Sequence, residues 1–168
     1  MTLNQTIYQL LSNVTKVPII RAFQSGAEPA KPFITYSVKW DKTPEHYHAK
    51  VVQSNGKQTI STHVNSLLEL QCFGKDAVET LRAVKMALHT YSQQTKWLNA
   101  GVVLVDTGQL SDMPYLNEAN AYENRAVLEI QIRHKLSIED DIGFFNRVEL
   151  TDADNQTTTI VEVENGKY

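Results

Sequence analysis

Two stretches of the chain repeat apolar residues at helical spacing. The first follows Thr2, which with Gln5 has the spacing of a capping box. Its apolar stripe consists of Leu3, Ile7, Leu10, Leu11 and Val14. The second follows Asp76, a capping residue with Glu79 three positions on. Its stripe consists of Ala77, Leu81, Val84, Leu88 and Tyr91. Both patterns predict an amphipathic helix with one buried side.

Other stretches alternate, as half-buried strands do. "FITYSVKW" from Phe33 predicts a strand, and "SLLELQCF" predicts an apolar one. In "NRAVLEIQIRHKLSIEDD", Leu128, Ile130 and Ile132 fall on one side, whereas Glu129, Gln131 and Arg133 fall on the other. "GVVLVDTG" is almost wholly apolar, which predicts a central strand covered on both faces.

Asn55-Gly56 is a strong signal for a two-residue type I′ hairpin turn. With that turn, the residues that pair across the hairpin have a constant sum of positions. His48 then lies opposite His63, and His46 lies on the same face two residues away. Both arms are long, so we expect a hairpin that projects from the body of the domain.

The stretch "DTGQLSDMPYLNEANA" has no periodicity and predicts a long irregular loop, and "IEDDIG" predicts a turn. The order of elements is a helix, about four strands, a helix and further strands. This order indicates an α+β fold in a single domain over residues 1–168, with 151–168 as a C-terminal extension. The sheet is expected to be largely antiparallel, with helices packed on one face.

The composition excludes several classes of protein. The chain has 168 residues, a net charge of −3 and a pI of about 5.9, without the basic excess typical of proteins that bind duplex DNA. Its one cysteine, Cys72, lies in an apolar run and is expected to be buried and inert. We see no signal peptide and no apolar window long enough for a bilayer, so we expect a soluble protein in a reducing compartment.

Candidate chemistry is sparse. His46, His48 and His63 could ligate zinc, but no carboxylate or cysteine is spaced to complete the site, and an exposed polar hairpin face explains them more simply. Glu139-Asp140-Asp141 could attract a divalent cation by charge alone, although acidic residues in a turn simply contact solvent. There is no phosphate-binding glycine loop and no nucleophile elbow. We therefore predict no catalytic residues, no metal and no cofactor.

With catalytic and metal sites set aside, the sequence still offers residues that could form contacts between subunits. The candidate subunit-interface residues are Tyr122, Glu123, Arg125, Glu129 and Arg133, and the candidate hairpin residues are His46, His48, Asn55, Gly56 and His63. The first group has two alternative interpretations. Its members either meet water and anchor the long loop onto the domain, or contact a neighbouring subunit.

The ordered set of segments resembles the neck or tail terminator proteins of long-tailed bacteriophages. The matching segments are "VPIIRAFQSGAEPAKPFITYSV", "LLELQCFG" before a helix, and "VVLVDTGQL" through "YENRAVLEIQIRHKLSIEDDIGFFNRVEL", to about Leu150. The resemblance implies a structural virion protein, assembled in the bacterial cytoplasm, that forms a ring, commonly a hexamer. The ring would cap the tail tube, stop its growth and meet the head connector, with DNA passing through the lumen without specific binding.

Three kinds of alternative stay open at this point. The first is a head-side neck adaptor or a tail completion protein, which share the size, acidity and ring symmetry of a terminator. The second, from a different class, is a small metal-dependent hydrolase built on the hairpin histidines. The third is a nucleic-acid-binding module, for which the acidic balance predicts no salt-dependent retention on DNA.

Overall fold

The computed structural model describes residues 2–43, 46–53, 55–117, 119–143, 147–151 and 158–162. In this part of the chain the helices are α1 (Leu3–Ser12), α2 (Ala77–Leu88) and α3 (Tyr91–Asn99). The strands are β1 (Ile19–Arg21), β2 (Phe33–Lys42), β3 (His48–Ala49), β4 (Lys57–Phe73), β5 (Val102–Asp106), β6 (Leu110–Asp112), β7 (Tyr115–Leu116), β8 (Tyr122–Glu123), β9 (Arg125–Asp141), β10 (Arg147–Thr151) and β11 (Thr158–Glu162).

The first predicted helix is confirmed, including its cap. Thr2 accepts a hydrogen bond from the Gln5 backbone, and the Gln5 side chain accepts one from the Thr2 backbone. Ile7, Leu10 and Leu11 are buried, as the apolar stripe predicts. This reciprocal cap fixes where α1 begins.

The second predicted helix is interrupted, and its burial differs from the prediction. Asp76 stands at the N-cap, but its backbone is left-handed (φ 58°) and its side chain makes no capping hydrogen bond. The helix ends at Leu88, where the Thr90 hydroxyl donates to the Ala87 carbonyl at 2.7 Å. Thr90 has an extended backbone (φ −70°, ψ 144°), a separate helix, α3, begins at Tyr91, and Tyr91 is exposed instead of buried.

The main sheet follows the order β1-β2-β4-β9-β5, with β3 paired to β4 and β6 paired to β9. Strand β1 runs parallel to β2, whereas the β2–β4, β3–β4, β5–β9 and β6–β9 pairs are antiparallel. The prediction of a central position for "GVVLVDTG" is wrong. This stretch forms β5 at the end of the strand order, and its side chains Val103 and Val105 are 42% and 47% exposed because only one face of the strand is covered.

One apolar core joins the helices to one face of the sheet. It contains fully buried side chains from each layer, including Leu11 of α1, Leu81 of α2, Trp97 of α3, Leu70 of β4 and Ile130 of β9. Polar and charged residues alternate with the buried ones along β9. The α+β fold class with a mixed sheet is therefore confirmed.

The chain divides into two compact units, and the division falls within both long strands. Unit 1 comprises Met1–Pro44 and His63–Lys135, and it holds the apolar core. Unit 2 comprises Glu45–Thr62 and Leu136–Tyr168. The single functional domain over 1–168 stays a prediction.

In unit 2, the hairpin has a different register from the predicted one. His48 pairs with Ser61 and Ala49 with Ile60, so Ser61 rather than His63 faces His48. The Gln53 N–H donates to the Lys57 carbonyl at 2.8 Å. The connection therefore has three residues instead of two. Gly56 occupies its left-handed position (φ 77°), a common alternative to the type I′ turn.

The far end of β9 and the C-terminal region also differ from the prediction. Glu139, Asp140 and Asp141 lie within strand β9, which extends to Asp141, and not in a turn. Strands β10 and β11 pair antiparallel, with Arg147 opposite Glu162. Of the predicted C-terminal extension, Thr151 and residues 158–162 are described, and the rest lies outside the described residues.

Candidate functional site

The charged stretch "RAVLEIQIRHKLSIEDD" forms strand β9, and within unit 1 one face of this strand is exposed to solvent. Leu128, Ile130 and Ile132 are fully buried, whereas Glu129, Gln131 and Arg133, which alternate with them, are exposed. The predicted alternation is therefore confirmed. We call the side opposite the core the polar sheet face, defined by Glu69, Glu129, Gln131 and Arg133.

Side chains on the polar sheet face are held by contacts across neighbouring strands. Arg133 donates from Nε to the Asn65 Oδ1 of β4 at 2.8 Å. The Lys39 Nζ lies 2.9 Å from Glu69 Oε1, and Gln71 donates to the same oxygen at 2.6 Å. The Arg133 and Lys39 contacts join neighbouring strands, the Gln71 contact lies within β4, and together they fix the orientation of these side chains.

The predicted irregular loop is more ordered than its sequence suggests. It contains β6, and β7 and β8 pair as a small ribbon in which Leu116 lies opposite Tyr122. The Gly74 N–H donates to the Asn124 carbonyl at 3.0 Å. The loop is therefore tied to the end of β4 through the backbone.

A carboxylate at the base of this loop gathers three partners. Glu123 forms an ion pair with Lys31 and accepts hydrogen bonds from Tyr115 and Asn117, each at 2.8 Å. We call these four residues the Glu123 anchor. Sequence reasoning picked out Glu123 but missed its partners. Lys31 lies 92 positions away, and Tyr115 and Asn117 lie in the stretch without periodicity.

An aromatic and cationic stack extends the anchor. The guanidinium of Arg125 lies 5.6 Å from the centroid of the Tyr115 ring, and its Nε donates to the Met113 carbonyl at 3.0 Å. The Tyr115 ring meets Phe73 edge to face, and Phe73 stacks on Phe33. Glu123 and Arg125 thus contact residues of their own loop, and the assignment of this group to a subunit interface stays a prediction.

Tyr122 differs from its neighbours. Its side chain is 80% exposed, although it lies in strand β8 next to the hydrogen-bonded Glu123. Leu116, its cross-strand partner, is also exposed. The Glu123 anchor therefore holds an apolar tip, Leu116 and Tyr122, open to the surroundings.

The anchor shifts the ionisation of its members. Lys31, followed by Asn117 and Tyr115, lowers the pKa of Glu123 from an ordinary value of 4.5 to about 2. Glu123 in turn raises the pKa of Lys31 and of Tyr115. The charged forms of the ion pair are thus the forms that the fold favours.

The Glu123 anchor predicts an acid-dependent loss of stability. The pKa of Glu123 is lower in the folded protein, so its contribution is fully present above pH 4.5 and is lost as the pH falls toward about 2. We expect the free-energy difference between wild type and Glu123→Gln to be constant near neutral pH and to shrink in that window. Urea unfolding at a series of pH values measures it. If the stability of the two proteins changed with pH in the same way, the lowered pKa of Glu123 would be contradicted.

The structure does not bring the hairpin histidines together as the predicted register required. Among the described residues, no three His, Cys, Asp or Glu side chains are grouped so that they could hold a metal ion. Cys72 is fully buried, as expected, and burial raises the pKa of its thiol.

One serine–histidine pair was missed by sequence reasoning. Ser66 Oγ lies 3.0 Å from His134 Nε2, and both side chains are buried. Such a pair can act as a nucleophile and base where a substrate reaches it. Here both groups lie inside unit 1, so the hydrogen bond satisfies two buried polar side chains.

The protein therefore has an α+β fold. Hydrogen bonds of the Glu123 anchor hold the loop that carries Tyr122, and a hydrogen bond to Asn65 holds Arg133 on the polar sheet face. Within the described ranges, no helix is long and apolar enough to cross a membrane. The family of phage neck terminator proteins matches residues 1–157, and the chain belongs to that family. A comparison with curated proteins found no match. The protein is therefore a structural component of the phage neck, and the resemblance seen in the sequence is confirmed.

Proposed function

We propose that the protein forms a closed ring, of about six subunits, that caps the tail tube and joins it to the head connector. Membership in the neck terminator family supports this role. The main support for a subunit contact at this loop is the Glu123 anchor, in which several polar groups hold the strand that carries the exposed Tyr122. An exposed tyrosine on a rigid support is a common centre of a protein interface.

In this proposal, the contacts of a subunit with its neighbours involve Tyr122 and the polar sheet face with Glu129 and Arg133. Glu123 and Arg125 position the loop from beneath. Head-to-tail contacts join different patches and close into a ring if the rotation allows it. Salt bridges at such a contact set register and partner choice more than affinity.

The acidic balance of the chain is consistent with DNA passing through the ring. Each basic contact with a phosphate adds affinity through counterion release, which would slow a moving duplex. The net charge of −3 gives no general attraction of that kind. The proposed role is thus structural, without a catalytic step, in a virion assembled in the bacterial cytoplasm.

The test combines solution mass, microscopy and tail length. Light scattering over a concentration series, with negative-stain images of the same samples, should show rings with an open lumen, either alone or on purified tail tubes. Phage particles that lack the protein should carry tails of uncontrolled length. A chain that stays monomeric alone and on tubes, or tails of normal length without it, would overturn the proposal.

Tyr122→Ser tests the contact itself. We expect the dissociation constant of the assembly to rise at least about tenfold, as for loss of an interface tyrosine. Tyr91→Ser is the matched control, because Tyr91 is equally exposed at the start of α3 but lies outside the proposed contact. Equal effects of the two variants would remove Tyr122 from the interface.

A further inference from the structure

Unit 2 exposes a row of apolar side chains along the end of β9. In unit 1, alternate residues of this strand, such as Ile130 and Ile132, are fully buried. The same alternation continues in unit 2, but there Leu136 is 48% and Ile138 68% exposed. Ile142, just beyond the strand, is 51% exposed. We call Leu136, Ile138 and Ile142 the apolar row.

The apolar row belongs to a two-sided ribbon. Residues on the opposite side of this part of β9, Ser137 and Glu139, are polar and exposed. A strand that only met water would have no reason to separate apolar from polar residues in this way. Contiguous exposed apolar side chains mark a surface that meets another molecule.

Unit 1 carries a surface of matching chemistry. Val103 and Val105 of β5 are both more than 40% exposed, and Val103 lies directly opposite Arg133 on the polar sheet face. Lys135 follows two residues later on the same side of β9 and is also exposed. We call these four residues the valine edge, an apolar strip bordered by two cations.

The charges on the apolar row have the opposite sign. Asp140 follows Ile138 by two positions within β9, so its carboxylate belongs to the same side of the strand. Glu139, the residue before Asp140, already has a cation close by, because its Oε2 lies 3.5 Å from the Lys57 Nζ. Among the described residues Asp140 has no such cation. Its charge is therefore available to a cation from another molecule.

We infer that the apolar row of one subunit docks on the valine edge of a second copy of this chain. This inference rests on the proposed ring and names the contact that builds it. The two surfaces match in apolar character and are complementary in charge. Because the two patches differ, each subunit contributes its apolar row to the contact with one neighbour and its valine edge to the contact with the other. This is the head-to-tail arrangement that a ring requires.

Cysteine cross-linking tests the contact directly. Ile138→Cys and Val103→Cys chains, carrying different tags, are co-expressed and treated with a short bismaleimide. Covalent dimers containing one chain of each kind are expected. The native Cys72 is fully buried, so wild type provides the unreactive background. Ser137→Cys, on the opposite side of the same strand, is the matched control and should give no mixed dimer with Val103→Cys.

The outcomes separate this inference from the proposed ring. Wild-type rings without mixed cross-links would overturn the docking and leave the ring standing. Cross-linked dimers of two Ile138→Cys chains, without mixed dimers, would indicate a symmetric contact and would also overturn the proposed docking. Rings that persist in Ile138→Lys while binding to tail tubes is lost would mean that the row meets the tube protein. Wild type that never assembles, even on tubes, would overturn the ring itself.

A charge exchange gives a second measurement. Asp140→Lys and Arg133→Asp should each weaken assembly at least about tenfold, since like charges then meet across the contact. The double variant should recover most of the wild-type assembly. Failure of the double variant to recover, with both single variants folded by circular dichroism, would contradict the pairing of the two surfaces.

Discussion

Replacing Ile130 by alanine is expected to lower the free energy of unfolding by about 3 to 4 kcal/mol, as for other large-to-small changes at fully buried sites. Ile130 lies in the first half of β9 and belongs to the core that joins the sheet to the helices. The loss combines the transfer free energy of the removed methyl groups with the cavity that they leave. Urea unfolding followed by circular dichroism measures the change.

The neighbouring residue provides the control. Gln131 is exposed on the polar sheet face, so Gln131→Ala should change the free energy of unfolding by no more than about 0.5 kcal/mol. The contrast between adjacent positions is a direct test of the alternation in β9. Similar losses for both variants would mean that this strand does not bury one side only.

Trp97→Ala is expected to cost about 3 to 5 kcal/mol, the range for loss of a large buried aromatic side chain. Trp97 of α3 is fully buried in the same core. Its indole Nε1 has no hydrogen-bond partner among the described residues. Trp97→Phe removes that buried polar atom and keeps a ring, so it should be clearly less damaging than Trp97→Ala.

Tyr91 is the comparison for Trp97 within the same helix. It is 85% exposed, and Tyr91→Ala should leave the free energy of unfolding within about 0.5 kcal/mol of wild type. Thermal melting of the three variants ranks them in one experiment. A large loss for Tyr91→Ala would favour the single long helix that the sequence alone predicts, in which Tyr91 belongs to the buried stripe.

These stability tests also protect the interpretation of the assembly tests. Ile130 and Trp97 act through the core, and their loss weakens assembly only by reducing the folded population. Tyr122, Ile138 and Asp140 are exposed, so their substitutions should leave melting temperatures almost unchanged. A variant that assembles poorly but melts normally therefore points to a contact between molecules.

Local patterns were enough to determine several parts of this protein. The capping box of α1 lies within four residues, and the alternation of β9 depends only on neighbouring positions. Such signals depend on the chain's own geometry and need no partner from elsewhere in the fold. The ordered set of segments also indicated the phage neck terminator family, which the match over residues 1–157 confirms.

The tertiary structure decided the features that depend on distant residues. The position of β5 at the end of the strand order follows from which strands pair, and its apolar sequence fits either position. The register of the hairpin depended on a three-residue connection that an Asn-Gly pair also permits. The exposure of Tyr91 followed from a break after Leu88 that the apolar spacing does not mark.

The candidate site shows the same division. Tyr122, Glu123 and Arg125 stood out in the sequence as a group, but only the fold shows that Glu123 holds Lys31 while Tyr122 stays exposed. The apolar row and the valine edge are likewise ordinary strand residues in sequence. Sequence alone determined which side chains alternate along each strand. The tertiary structure decided which of those sides is covered, because burial depends on packing between segments that are far apart in the chain.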